Sequence, residues 1–405
     1  MAEGPELQLL LTCGRLFLGT AEDEEALTLL RLPLNWASLL KKAEEEGMSG
    51  LLAFQLRRLA RTYNLDLPLD SFTQALHHIF AHNGALFAEL SALHEEFRQR
   101  GLQAILLKGG ALIETVYRSH LGLRPLSDLD LLVKASDLPA FTEILLKRGF
   151  RPLAPSSTFF MNGSAAIDLH TDLVGATRIR RRTLAFQFDP ETLWREATPP
   201  LPSPLKGGGE GSHDPTLLIL SPPHQFLHVV VHALKHSFSR LIWFVDLGLV
   251  LQGARINPAP TAVGEGLRPS PWEELLSWAE VTGSLRALAY ALFGLSRLMR
   301  VSAPQEVLAR LPQLNWIEQT FLNRVVSRQA METLGEVMVA FSIPDLQGKL
   351  GYFLELGFPR HEVLAEVFPS TPSWLRYPRR LLQVMALEFQ EGRNIVPLVK
   401  RRDGS

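Results

Sequence analysis

The chain has 405 residues, 46% of them hydrophobic and 20% charged, with a formal net charge of −1. This is an ordinary globular balance, long enough for two or three domains at ~150 residues each. It excludes a global basic field that would draw the protein to nucleic acid or to an anionic membrane, and the single cysteine, Cys13, excludes an intramolecular disulfide and any cysteine-rich metal site. No apolar run reaches the ~18–20 residues of a membrane helix, and the start MAEGPELQLL has no basic signal-peptide region. The expectation is a soluble cytoplasmic protein with no membrane partner.

In chain order, residues 1–101 read as a helical segment. Glu24–Leu30 and Trp36–Glu46 are short amphipathic pieces, and Met48–Tyr63 carries Leu51, Leu52, Phe54, Leu56 and Leu59. The longest helix starts near Leu69. Its apolar residues Phe72, Leu76, Ile79, Leu86, Leu90, Leu93 and Phe97 keep helical spacing, with Asn83 on the same stripe. Gly101 supplies a left-handed stop.

The next stretch organises the chain. Ala104–Leu107 reads as a buried strand that runs into Lys108-Gly109-Gly110. A helix follows to about Arg118, then a loop with Gly122, Arg124 and Pro125, then Ser127-Asp128-Leu129-Asp130-Leu131-Leu132-Val133 as a second strand. Side chains alternate across a strand, so Asp128 and Asp130 share one face and Leu129, Leu131 and Val133 take the other. Two carboxylates ~5 Å apart repel by about 3 kcal/mol at an effective dielectric near 20. A bound cation relieves that repulsion, and Mg²⁺ prefers carboxylate oxygen. Glycines ahead of a helix let the backbone approach a phosphate, which the free N–H groups of the helix start then meet. Together these features point to a nucleoside triphosphate (NTP) held by Mg²⁺. Farther on, a helix begins near Ser136 or Asp137 and ends before Gly149. Asn162-Gly163 then joins two strand-like runs as a hairpin. In the second run Asp168 and His170 share a face, and a carboxylate on a third strand is what a two-metal site needs beside Asp128 and Asp130.

Lys-Gly-Gly, then Arg124, then Asp-Leu-Asp-Leu-Leu-Val resembles the DNA polymerase β-like nucleotidyltransferase superfamily. More narrowly, it resembles the uncharacterised bacterial nucleotidyltransferase family, which has Lys-Gly ahead of Arg-x-x-x-Asp-[Leu/Ile]-Asp. The likeness covers Leu102–Asp172 well and His232–Asp246 more weakly. The superfamily usually has Gly-Ser in the turn; Gly109-Gly110 stands here, so a serine contact to phosphate is missing. The resemblance implies Asp128, Asp130 and Asp168 as catalytic residues and ligands of two Mg²⁺ ions. It implies Lys108, Gly109, Gly110, Arg124, Ser127, His170, Lys235 and His236 on the nucleotide side, and Asp246 orienting a histidine or capping a helix.

Read from the residues alone, several roles stay open. Lys108 is either a phosphate contact or a strand-end surface lysine. Arg124 either grips a triphosphate or pairs with an acid. His224, His228, His232 and His236 form a stripe at helical spacing; it is a structural stripe, a cleft wall, or a transition-metal site that lacks the glutamate of HExxH. The basic run Arg178–Arg182 is a solvated loop or a phosphate contact.

Two proline- and glycine-rich stretches, residues 198–215 and 257–271, read as flexible insertions. Residues 216–405 otherwise read as helical, with one helical region from Pro223 to about Gly253 and another from Trp316 to Met338. The fold expected is α+β: a small mixed β-sheet nucleotidyltransferase core at 102–197, N-terminal helices before it, a larger C-terminal helical region after it, and no substantial sheet outside about 103–190. The function expected is transfer of a nucleoside monophosphate (NMP) from an NTP to an acceptor with release of pyrophosphate. The acceptor expected is a small molecule, peptide or protein rather than nucleic acid. The sequence does not specify an oligomeric state. The competing readings are another phosphoryl chemistry at the same site, and a nucleotide-binding sensor or assembly partner without turnover.

Overall fold

The computed structural model describes residues 4–382, except 118–119, 155–156, 164, 201–215, 257–270, 330–333, 369 and 381. Most of both proline- and glycine-rich stretches, and the chain beyond 382, lie outside the described residues.

The chain is α+β, with one six-stranded mixed sheet among helices. The strands are β1 (Ala104–Leu106), β2 (Leu129–Val133), β3 (Arg151–Pro152), β4 (Phe159–Asn162), β5 (Ala165–His170) and β6 (Leu217–Ile219), in the order β3-β4-β5-β2-β1-β6. β1 pairs antiparallel with β2 and parallel with β6; β2 pairs parallel with β5; β4 pairs antiparallel with β3 and β5. The sheet therefore takes a strand from beyond the 103–190 region. The apolar run Leu217–Ile219 is only three residues long, too short to show a period. Thr198 bridges to Ile219, so the two flanks of the 201–215 stretch meet at the sheet edge.

β1 and β2 are buried along their whole length. Alternation sends Leu129, Leu131 and Val133 into the main core. Asp130 and Leu132 are left on the opposite face, where Leu132 joins Ile105, Leu107, Leu173, Leu193 and Leu218 in a smaller cluster. The acids thus occupy the face with the thinner apolar cover.

Five helices precede the sheet: Pro5–Phe17, Asp23–Leu30, Trp36–Glu45, Ser49–Tyr63 and Asp70–Gln99. The first has no one-sided stripe because Leu7 and Leu9–Gly14 are buried nearly all round. It packs against Met299, and Arg15 Nε donates to the Leu298 carbonyl at 2.8 Å. The long helix ends, as its spacing implies, at Gly101, with φ +64. The Pro223–Gly253 region is two helices, Pro222–Lys235 and Leu241–Ile256; Trp316–Met338 likewise divides into Trp316–Val326 and Leu334–Phe341. No glycine or proline marks the first break; Ser237 and Phe238 make it in the left-handed region instead. No helix among the described residues is long and apolar enough to cross a membrane.

Asn83 explains its place on an apolar stripe. It is fully buried; its Nδ2 donates to the carbonyls of Leu121 (2.7 Å) and Arg124 (2.8 Å), and its Oδ1 accepts from Leu126 N (3.2 Å). One side chain on the long helix therefore fixes the loop that leads into β2. Asn83→Leu strands three buried backbone groups and should cost about 2–4 kcal/mol of stability. Urea unfolding measures this, and a loss under about 1 kcal/mol would contradict the role.

Candidate active site

The parallel register of β2 and β5 sets Asp130 beside Asp168. His170 lies two residues on, on the same face. Its Nε2 is 2.7 Å from Asp130 Oδ1 and 3.2 Å from Asp168 Oδ2. Thr158 donates to the other Asp168 oxygen at 3.2 Å. The Lys108 ammonium bonds Asp130 Oδ1 and stands 3.5 Å from His170 Nε2. Lys108 reaches there from a left-handed backbone (φ +45) at the start of the helix Lys108–Thr115. For a residue with a Cβ that conformation costs about 1–2 kcal/mol and persists only where its surroundings hold it.

Charge explains the protonation states. Burial alone would push Asp130 up, but Lys108 and His170 hold it far below the usual carboxylate range. Burial also opposes ionisation of Asp168, and His170 overcomes it. The same two hydrogen bonds lift His170 above its ordinary value against the effect of burial. Asp128 differs: burial and then the charge of Asp130 push it up. It sits just before the first paired residue of β2, and its Oδ1 accepts from Ser127 Oγ at 2.5 Å.

The ligand atoms of Asp130, Asp168 and His170 lie within 4.8 Å of one another, forming the metal-type cluster among the described residues. Two carboxylate oxygens and an imidazole nitrogen suit a divalent cation that accepts both donor types. Asp128 lies outside this trio but lines the adjoining cleft of about 340 Å³, together with Lys108, Gly109, Arg124, Ser127, Asp130, His232 and His236.

The remaining candidates divide. Gly109 is needed for space: a Cβ there would come within 2.2 Å of Arg124 Nη1. Gly110 faces the core, where a Cβ would meet Leu106 and Leu129. Arg124 takes the acid-pair option. It grips the fully buried Asp246 through Nε (3.0 Å) and Nη2 (2.9 Å), and Tyr117 donates to the same carboxylate at 2.9 Å. Asp246 therefore holds an arginine rather than a histidine or a helix end.

Lys235 is not among the cleft-lining residues; its ammonium donates to the Val174 carbonyl at 3.2 Å. His232 on the helix and His236 just past its end both line the cleft, and Lys235 between them does not. Burial, with Arg182 and Lys108 nearby, lowers Lys235 to about 7.

The histidine stripe is mixed. His224 is buried, with Nδ1 2.8 Å from Ser221 Oγ, and His228 is buried as well; His232 and His236 pack against Trp243 in the cleft wall. Part of the basic run serves docking. Arg182 pairs with Glu336, Arg181 lies over Gly351, and the backbone of Arg180 and Arg181 donates to Glu355. Burial pushes the Cys13 thiol up to about 12, so it is no nucleophile.

The family model described as an uncharacterised nucleotidyltransferase matches residues 33–300, which include every strand and the whole cleft. The chain belongs to that family. No curated protein and no solved structure matches it. Gly47, Ser239, Arg240, Ile242 and Trp243 on the cleft wall were not marked by any pattern in the sequence. They come from the two helical regions, and only the fold brings them to the strands. The Arg124–Asp246 pair also joins these parts. Asp246→Ala should cost about 3–5 kcal/mol by leaving Arg124 buried without its counter-charge, while Arg124→Met with Asp246→Leu should regain most of it. Denaturant unfolding of both variants checks this; a single-variant loss under about 1 kcal/mol would contradict a buried pair.

Proposed function

We propose that the protein is a divalent-metal-dependent nucleotidyltransferase that moves an NMP group from an NTP to an acceptor and releases pyrophosphate. The observation that carries this reading is the pairing of Asp130 with Asp168 and His170 inside the span matched by the family. Asp130, Asp168 and His170, with Asp128 beside them, would hold the cation. Mg²⁺ is the natural occupant of the carboxylates, and the imidazole also admits Mn²⁺. A bound divalent cation supplies charge stabilisation at the α-phosphate and lowers the pKa of the attacking hydroxyl.

The chain's own residues do the rest. Lys108 neutralises Asp130 and would be the side chain to turn toward phosphate if a cation shared that carboxylate. Gly109 and the helix start behind it offer backbone N–H groups to the phosphates. Ser127 orients the Asp128 carboxylate. Asp168, the carboxylate on the third strand, would take the proton of an acceptor hydroxyl. Gly110, Arg124 and Lys235 support the site by packing and pairing rather than by touching phosphate.

The acceptor is a small molecule, a peptide or a protein side chain. A net charge of −1 gives no global basic field to track a nucleic-acid backbone, and Arg182 of the basic run is spent on Glu336. The test is incubation of the protein with each α-labelled NTP, Mg²⁺ or Mn²⁺, and a panel of acceptors including the protein itself. Label should move to an acceptor with pyrophosphate release, and Asp130→Asn or Asp168→Asn should lower the rate by about a hundredfold or more. Bound nucleotide with no product under all conditions would instead mark a sensor.

A further inference from the structure

The histidine-bearing helix ends at Lys235 and the next begins at Leu241. Between them Ser237 (φ +55) and Phe238 (φ +49) are both left-handed and both fully buried. Two adjacent residues with side chains in that region cost about 1–2 kcal/mol each and need firm support.

That support is visible. Ser237 Oγ accepts from the Gly335 N–H at 2.7 Å. Arg328, itself left-handed at φ +54, donates to the Phe238 carbonyl at 3.1 Å and to the Ser239 carbonyl. Glu46 ties Arg328 down from the N-terminal helices at 2.5 Å and accepts from Leu241 N at 2.8 Å. Three distant parts of the chain hold one five-residue turn in a strained shape.

The turn leads into four side chains of the cleft wall: Ser239, Arg240, Ile242 and Trp243. Of these only Arg240 carries a permanent charge. It is exposed, and its guanidinium has no hydrogen bond or ion pair among the described residues. The other lysine and arginine lining the cleft are committed, Lys108 to Asp130 and Arg124 to Asp246. A triphosphate brings about four negative charges, and a planar guanidinium is the side chain best suited to bidentate contact with phosphate oxygens.

We propose that Arg240 is the polyphosphate contact of this cleft, in the place the sequence motif offered to Arg124. This rests on the nucleotidyltransferase reading and deepens it. The strained turn is there to aim Arg240 at the β- and γ-phosphates, the part of the substrate that leaves as pyrophosphate. Ser239 and Trp243 flank it on the same wall.

The experiment is calorimetric binding of the full chain, in Mg²⁺, to α,β-methylene triphosphates of the four common nucleosides and to the matching monophosphates. Arg240→Gln should weaken the triphosphate analogue about 10- to 100-fold and leave the monophosphate unchanged, and Arg240→Lys should recover part of the loss. Arg240 is exposed, so neither variant threatens folding. Unchanged triphosphate binding in Arg240→Gln, or equal weakening of both ligands, overturns the assignment and leaves the proposed function standing. A wild-type protein that binds neither ligand overturns both.

Discussion

A buried carboxylate needs a positive charge, and Asp130 sets the terms for its surroundings. It is 5% exposed, sits in one of the two central strands of the sheet, and has a second acid beside it in register. Without compensation two such charges would not both stay ionised. Lys108 and His170 provide that compensation, and the strained Lys108 backbone is part of the arrangement. A divalent cation held there would supply positive charge of the same kind.

The rest of the molecule keeps this cluster at one end of a cleft. Asn83 pins the loop before β2 from the N-terminal side, and Arg124 fastens it to Asp246 from the C-terminal side. Glu46 and Arg328 hold the turn on the far wall. The main apolar cluster runs without interruption from Leu7 through the sheet to Tyr352. Helices before and after the sheet therefore build the walls, and the small sheet supplies the acids.

Much of this was legible in the residues, for reasons of period. The alternation in Leu129–Val133 and Ala165–His170 revealed which acids share a face, and the helical stripe revealed the long helix with Asn83 on it. Pairings across the chain were not legible. Arg124 and Asp246 are 122 positions apart, and neither breaks a local pattern. Asp128 looked equivalent to Asp130, yet only Asp130 lies within the strand ladder and beside Asp168. Gly110 looked like a phosphate glycine but is small because Leu106 and Leu129 crowd it. Lys235 looked like a partner of His236, but it does not line the cleft that His236 lines. The break at Ser237–Phe238 carries no glycine or proline, so Arg240 gave no signal.

The divalent-cation site proposed for Asp130, Asp168 and His170 is open to direct measurement. Electron spin echo spectroscopy of the protein with Mn²⁺ tests it most directly. The expected result is a tightly bound ion with a nitrogen coupling from one imidazole, lost in His170→Gln while the ion stays bound. A nitrogen coupling that survives His170→Gln, or Mn²⁺ that never binds above the level of free solution, would contradict it.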